Sequence, residues 1–312
     1  MNMKDYIKLG ISPTMLFPDA FEDDLEHLTA FATCCKFSEY ESLETFLPHD
    51  EKIRKREIEL MKKHNKVLHY NTPIQFQVDG EYNPGSDKAE YRANGLKLAK
   101  QHMDYAAEAD VEVFVVTGCP DKGPEKREEI MQRYTEYFLE IAAYGKKLGL
   151  TVAIEPIERD RFKHIILGPT DECAQFIIDM QKHGATNARL MLDSAHLPLM
   201  GEDFDFALKY SLKAGLAHIH MGDAVTDPKS IYYGHTHPPF GVQRGVFDVE
   251  ELAEQFSKLF EAGHISSTPP KNRPTISLEM RPYLGVSPET SARFAYEKVN
   301  SAFQIAAKKH CE

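Results

Sequence analysis

Four side chains able to bind a divalent metal each close a short apolar run: Glu155 in VAIE, Asp193 in LMLD, His220 in HIH and Glu279 in ISLE. Three carboxylates and one imidazole form an oxygen-rich donor set that suits Mn²⁺ first, with Mg²⁺, Co²⁺ or Zn²⁺ as alternatives. Three carboxylates buried together cannot all stay ionised unless a cation compensates them. A single divalent ion would do so. It would also chelate adjacent oxygens of a substrate and polarise its carbonyl as a Lewis acid. One of the glutamates could then remove the neighbouring carbon-bound proton.

Other residues stand close to these in sequence. Arg281 follows Glu279 by two positions and should share its phase. There it would clamp a carboxylate, phosphate or hydroxyl pair of the substrate, or form a salt bridge that steadies Glu279. His235 and His237 in GHTHPPFG have the spacing to build a second metal site with His196, to touch substrate, or to sit in a solvated loop. Lys163 and His164 in ERDRFKH offer a second acid or base, or solvated charge. Tyr40, Glu41 and His69 are candidates for substrate contacts, whereas His64, His102, His183 and His264 are expected at the surface.

These residues need elements to hold them. Short β-branched or apolar runs alternate eight times with longer helical patterns. The strands are read as IKLGIS (7–12), CKFSEYES, KVLHYN, VEVFVVTG, LTVAIEPIE, ARLMLDSAH, LAHIHMGD and TISLEMRP. The first helix is placed over DAFEDDLEHLTAFATC with Asp19 as N-cap, and the last over SPETSARFAYEKVNSAFQIAAKKH. Such alternation predicts an α/β chain, a (β/α)₈ TIM barrel in a single domain over residues 1–312. A doubly wound open sheet is the alternative. Only the loops 75–87, 225–247 and 264–273 are sizeable. Active sites of such barrels lie at the C-terminal ends of the strands, where all four candidates fall. Alternation sends Thr151, Ala153 and Glu155 inward, and likewise Met191 with Asp193, His218 with His220, and Ser277 with Glu279.

The bulk properties narrow the partners. A formal charge of −11 argues against nucleic acid, and no apolar stretch approaches the roughly 18 residues of a membrane span. Met1–Ser12 lacks a signal-peptide core, so a cytoplasmic location is expected. Cys34, Cys35, Cys119, Cys173 and Cys311 form no CxxC pair, which fits reduced thiols.

The segments IEPIER, MLDSAH, HIHMGD and SLEMRP resemble the four metal-binding segments of the xylose-isomerase-like barrel superfamily. That group includes sugar epimerases, hydroxypyruvate isomerase, inosose dehydratase and abasic-site endonucleases. The resemblance implies that Glu155, Asp193, His220 and Glu279 hold the metal, and that Glu155 and Glu279 move the substrate proton. It also implies a substrate-binding role for His196, or metal ligation as in the endonucleases, and matches Arg159 to a common arginine. The chain departs from the ketose 3-epimerases at Thr226, where they carry Arg, and at Arg161, where they carry an acid. It departs from the endonucleases at VVTGCP, which ends the fourth strand without a ligand.

The expected activity is a metal-dependent isomerase or epimerase of carbohydrate metabolism acting on a sugar or keto-polyol. Proton abstraction would give a metal-stabilised enediolate, with Glu155, Glu279 and His196 catalytic and His196, Arg159, Arg281, His237 and His69 binding substrate. A lyase is the alternative: a dehydratase, or the barrel subunit of a C-glycoside deglycosidase with a small β-rich partner subunit. A non-catalytic metal-binding barrel and an abasic-site endonuclease stand further off. A homo-oligomer is compatible with the sequence.

Overall fold

The structure, a computed structural model, describes residues 1–73 and 75–311. Its strands are β1 (Lys8–Ile11), β2 (Ser42–Thr45), β3 (Val67–Asn71), β4 (Val113–Thr117), β5 (Thr151–Glu155), β6 (Ala188–Asp193), β7 (Leu216–Met221) and β8 (Thr275–Leu278). They follow one another in order around a closed parallel barrel. A main helix comes after each strand: α1 (Asp24–Cys35), α2 (Glu51–Lys63), α3 (Ala89–Glu108), α4 (Pro124–Lys147), α5 (Thr170–Lys182), α6 (Phe204–Ala214), α7 (Val249–Glu261) and α8 (Pro288–His310). This is the (β/α)₈ architecture read from the alternation of patterns.

The chain packs as two compact units, one of Met1–Glu44, Pro48–Val67 and Ile219–Glu312, the other of Thr45–Leu47 and Leu68–His218. In the first, β1 pairs with both β2 and β8, and β8 with β7. Gly10 lies beside Ser42 on one neighbour and Ser277 on the other. A Cβ on Gly10 would come within 2.3 Å of Ser277 Oγ and 3.2 Å of Ser42 Cβ. All three therefore face the same interior, and only glycine fits between the two serines.

In the second unit β3, β4, β5 and β6 pair in sequence, with Thr117 aligned to Glu155. Val113, Val115, Ala153 and Met191 form a buried apolar cluster on the inward phase. On the opposite phase Tyr70 stacks on Phe114, with ring centroids 5.2 Å apart. Every residue of β4 is buried, as expected of a parallel strand covered on both faces.

Three expectations need correction. The second strand is not CKFSEYES: Cys34 and Cys35 end α1, and the strand is SLET. The helix keeps its hold on the two cysteines because both are buried on its inner face. The N-cap of α1 is Asp23, not Asp19, because its carboxylate accepts the Leu25 and Glu26 N–H groups. Asp19 instead opens a short 3₁₀ turn over Pro18–Phe21. His102 is not at the surface: it is buried on α3, and its Nδ1 lies 2.6 Å from Tyr70 Oη.

All five cysteines are unpaired with one another and buried. Among the described residues no helix is long and apolar enough to cross a membrane. The 75–87 loop is partly built, with a helical turn at Gln75–Val78 and a 3₁₀ turn at Gly80–Tyr82.

Candidate metal centre

β5 delivers Glu155 as its last residue, and β6 delivers Asp193 as its last. Both carboxylates are almost fully buried. After Asp193 the chain turns at once: Asp193 Oδ1 accepts the Ala195 N–H at 2.7 Å. His196 then sits at the N-cap of the helical turn Leu197–Met200. This turn brings His196 Nε2 to 3.3 Å from Glu155 Oε1 and 3.5 Å from Asp193 Oδ2.

The other imidazole nitrogen, Nδ1, lies 3.0 Å from Glu158 Oε1. Glu158 is only 1% exposed, although its place in the run ERDRFKH suggested a solvated loop. Burial disfavours a charge on His196, yet the carboxylates of Glu158, Asp193 and Glu155 hold its pKa well above the usual imidazole range. The ring faces carboxylates on both sides.

Arg159 lies next to Glu158, but its guanidinium is committed to a carboxylate. It forms a fork to Glu172 in the first turn of α5, with contacts of 2.5 and 2.9 Å. Lys163 and His164 are exposed, and His164 Nδ1 lies 3.0 Å from the Arg159 carbonyl. His69 of β3 is buried and stacks on His218 of β7, with centroids 4.4 Å apart.

In the other unit, β7 carries His220 and β8 is followed directly by Glu279. The Glu279 N–H donates to Met221 O at 3.1 Å, which extends the β7–β8 register one residue past the strand. His220 Nδ1 lies 2.5 Å from Glu279 Oε2. Its Nε2 lies 2.5 Å from Oε1 of Glu44, a residue of β2. Arg281 is exposed, and its backbone N–H donates to the His237 carbonyl at 2.8 Å. His237 is buried in a left-handed conformation (φ 46°), and its ring lies 4.8 Å from that of the half-buried His235.

The loop bearing these histidines is tied at both ends by one side chain. Asp223 Oδ1 accepts the N–H groups of Ala224, Val246 and Phe247 at 2.8–2.9 Å. Its Oδ2 has no hydrogen-bond partner among the described residues. A Cβ on Gly245 would lie 2.3 Å from that oxygen, so glycine is required there. Burial pushes the Asp223 carboxyl up to about 7.

Tyr40 and Glu41 were expected at the mouth of the barrel. The shift of β2 to SLET places them before the strand. Tyr40 Oη donates to Ala292 O at 2.7 Å, and Glu41 accepts a fork of 2.8 Å bonds from Arg273. Sequence reasoning missed two residues, Glu44 and Glu158. Glu44 stands two residues beyond the inward Ser42, a signal that needed the correct strand. Glu158 stands three beyond Glu155, and Pro156 between them breaks the alternation that would have flagged it.

The chain belongs to the xylose isomerase-like TIM barrel family, whose model matches residues 35–307. Among solved structures it is similar to a D-tagatose 3-epimerase-like protein, with 17% identity, a TM-score of 0.74, and coverage of 97% of this chain and 99% of that one. It is similar to 3-keto-D-glucoside 4-epimerase from E. coli at 14% identity and TM-score 0.67, covering 96% and 99%. It is also similar to an AP endonuclease, family 2, from Brucella melitensis at 17% identity and TM-score 0.63, covering 94% and 99%. No curated protein matches it by sequence. At these identities the likeness concerns the fold.

Proposed function

We propose that this protein is a divalent-metal-dependent epimerase or isomerase of a sugar or keto-polyol, with the metal on Glu155, Asp193, His220 and Glu279. One observation carries the reading. Each half of the set sits at the C-terminal ends of neighbouring strands: Glu155 and Asp193 close β5 and β6 and both meet His196 Nε2, while His220 of β7 meets Glu279 just after β8. Three are buried and the fourth, Glu279, is 13% exposed in its side chain, which leaves that carboxylate accessible to a small molecule. The donor set fits a hard or borderline cation, Mn²⁺ foremost. A bound ion would supply Lewis-acid polarisation of a substrate carbonyl.

The chain's own groups supply the rest. Glu279 is the more accessible carboxylate and takes the carbon-bound proton. His196, held between Glu155, Asp193 and Glu158, presents Nε2 as a donor to a substrate oxygen or as the returning acid. His235 and His237, with rings 4.8 Å apart, offer further imidazoles to a substrate or to a second ion. Epimerases among the similar structures favour a sugar substrate.

The test is metal analysis of the purified protein, then a panel of keto-sugars and inososes assayed with added Mn²⁺. One tightly bound equivalent and interconversion of two sugar isomers are expected. The Glu155→Ala/Asp193→Ala protein should lose both while keeping its far-UV spectrum. One tight equivalent retained by that variant would overturn the ligand set, and release of water or an aglycone would make the enzyme a lyase.

A further inference from the structure

We infer that Glu44 is a positioning residue for the metal ligand His220, fixing which imidazole nitrogen faces the ion; this rests on the reading that His220 binds metal. Ser42 and Gly10 share the barrel interior, so Glu44, two residues beyond Ser42 on the same strand, points inward as well. It is fully buried. A buried carboxylate needs a compensating partner, and His220 stands beside it, with Oε1 2.5 Å from Nε2.

The two nitrogens of His220 face different groups. Nδ1 is directed at Glu279, one of the four proposed ligands, and Nε2 at Glu44, which is not among them. A neutral imidazole carries one ring proton. Placed on Nε2 against the Glu44 carboxylate, it leaves the Nδ1 lone pair for the ion. The carboxylate then sets the tautomer, holds the ring plane and raises the donor strength of Nδ1, as carboxylates behind ligating histidines do.

Glu44 Oε1 and His220 Nε2 could also share an ion between them, so direct ligation is the rival role. An ion there together with one on Nδ1 would require His220 to give up its last ring proton. The positioning role keeps that proton and needs one ion only.

The experiment titrates the full-length apoprotein with Mn²⁺, following free ion by electron paramagnetic resonance, for wild type, Glu44→Gln and Glu44→Ala. A single equivalent is expected in all three. Affinity should fall in the order wild type, Gln, Ala, because Gln still accepts the Nε2 proton but lacks the charge. The total loss should be about 10- to 100-fold. In the Zn²⁺ form, ¹⁵N spectra of histidine-labelled protein should show His220 protonated at Nε2 in wild type. Thermal melts establish folding, and if Glu44→Ala fails to fold, the near-isosteric Gln variant carries the comparison. Unchanged affinity in a folded variant overturns the role of Glu44 and leaves the metal reading intact. A second equivalent in wild type that Glu44→Gln abolishes makes Glu44 a ligand and overturns it too. A wild-type protein that binds no ion sinks both readings.

Discussion

His196 and Glu158 form a buried pair, with Nδ1 and Oε1 3.0 Å apart and both side chains at most 2% exposed. Removing the carboxylate would leave His196 Nδ1 without this partner in a dry setting. Glu158→Ala should therefore cost about 3 kcal/mol of stability, the scale for breaking one partner of a buried ion pair. Glu158→Gln retains an acceptor oxygen and should cost less. Both should lower turnover by roughly tenfold or more, given that general acid–base groups contribute about 10²- to 10⁴-fold. Urea melts and kcat on the substrate found in the sugar panel check this. Wild-type turnover in Glu158→Ala would mean that His196 needs no partner.

Glu41 tests the corrected strand. Its carboxylate grips Arg273, which also bonds to the carbonyls of Lys4 and Ile7 at the start of β1. Glu41→Gln should leave Mn²⁺ affinity unchanged and lower stability by about 1 kcal/mol, as for a partly exposed ion pair. Paired metal titrations and urea melts read both quantities. A loss of affinity equal to that of Glu44→Gln would put Glu41, not Glu44, beside the metal.

The contrast between these two glutamates shows what the sequence could and could not convey. Long amphipathic runs placed the main helices well, because burying one face leaves a 3.6-residue period that survives in the sequence. β5 to β8 were equally legible, since each carries a polar residue at or beside its C-terminal end after alternating apolar ones. The second strand was not. Cys35 read as an apolar start, while SLET carries a single leucine and two residues, Ser42 and Glu44, that a barrel interior tolerates only with partners. Those partners come from distant parts of the chain, the Val67 carbonyl for the Ser42 hydroxyl and His220 for Glu44, and no local window contains them. His102 was misjudged for the same reason: Tyr70, thirty-two residues away, supplies its bond.

Asp223 should impose a pH dependence on stability. Burial raises its carboxyl from the ordinary 3.8 to about 7 in the folded chain. Between these values the folded state holds a proton that the unfolded state has released. The slope of unfolding free energy with pH is then negative: stability falls as pH rises from about 4 to 7 and levels off above. At 1.36 kcal/mol per unit the total reaches about 4 kcal/mol. Asp223→Asn keeps Oδ1 for the three backbone N–H groups and has no charge to bury. It should lose this dependence and exceed wild type in stability at pH 8. Chelator-treated proteins melted in urea from pH 4 to 8 provide the measurement, and parallel curves for the two would refute the assignment.

The proton-transfer step itself can be followed by isotope. A polarised carbonyl acidifies the adjacent C–H, and Glu279, accessible on one side and held at His220 Nδ1, is the base placed to remove that proton. A carboxyl exposed at 13% can exchange its proton with solvent before returning it. Turnover in D₂O should thus deposit deuterium at the substrate carbon next to the carbonyl, detected by mass spectrometry. Glu279→Gln keeps the size and one oxygen donor of glutamate but accepts no proton at neutral pH, so deuterium incorporation should stop, by at least about 100-fold, while Mn²⁺ remains bound, though less tightly. A hydride shift would carry the original hydrogen across the substrate instead. Complete retention of that hydrogen in product would remove Glu279 as the base and leave its place among the metal ligands untouched.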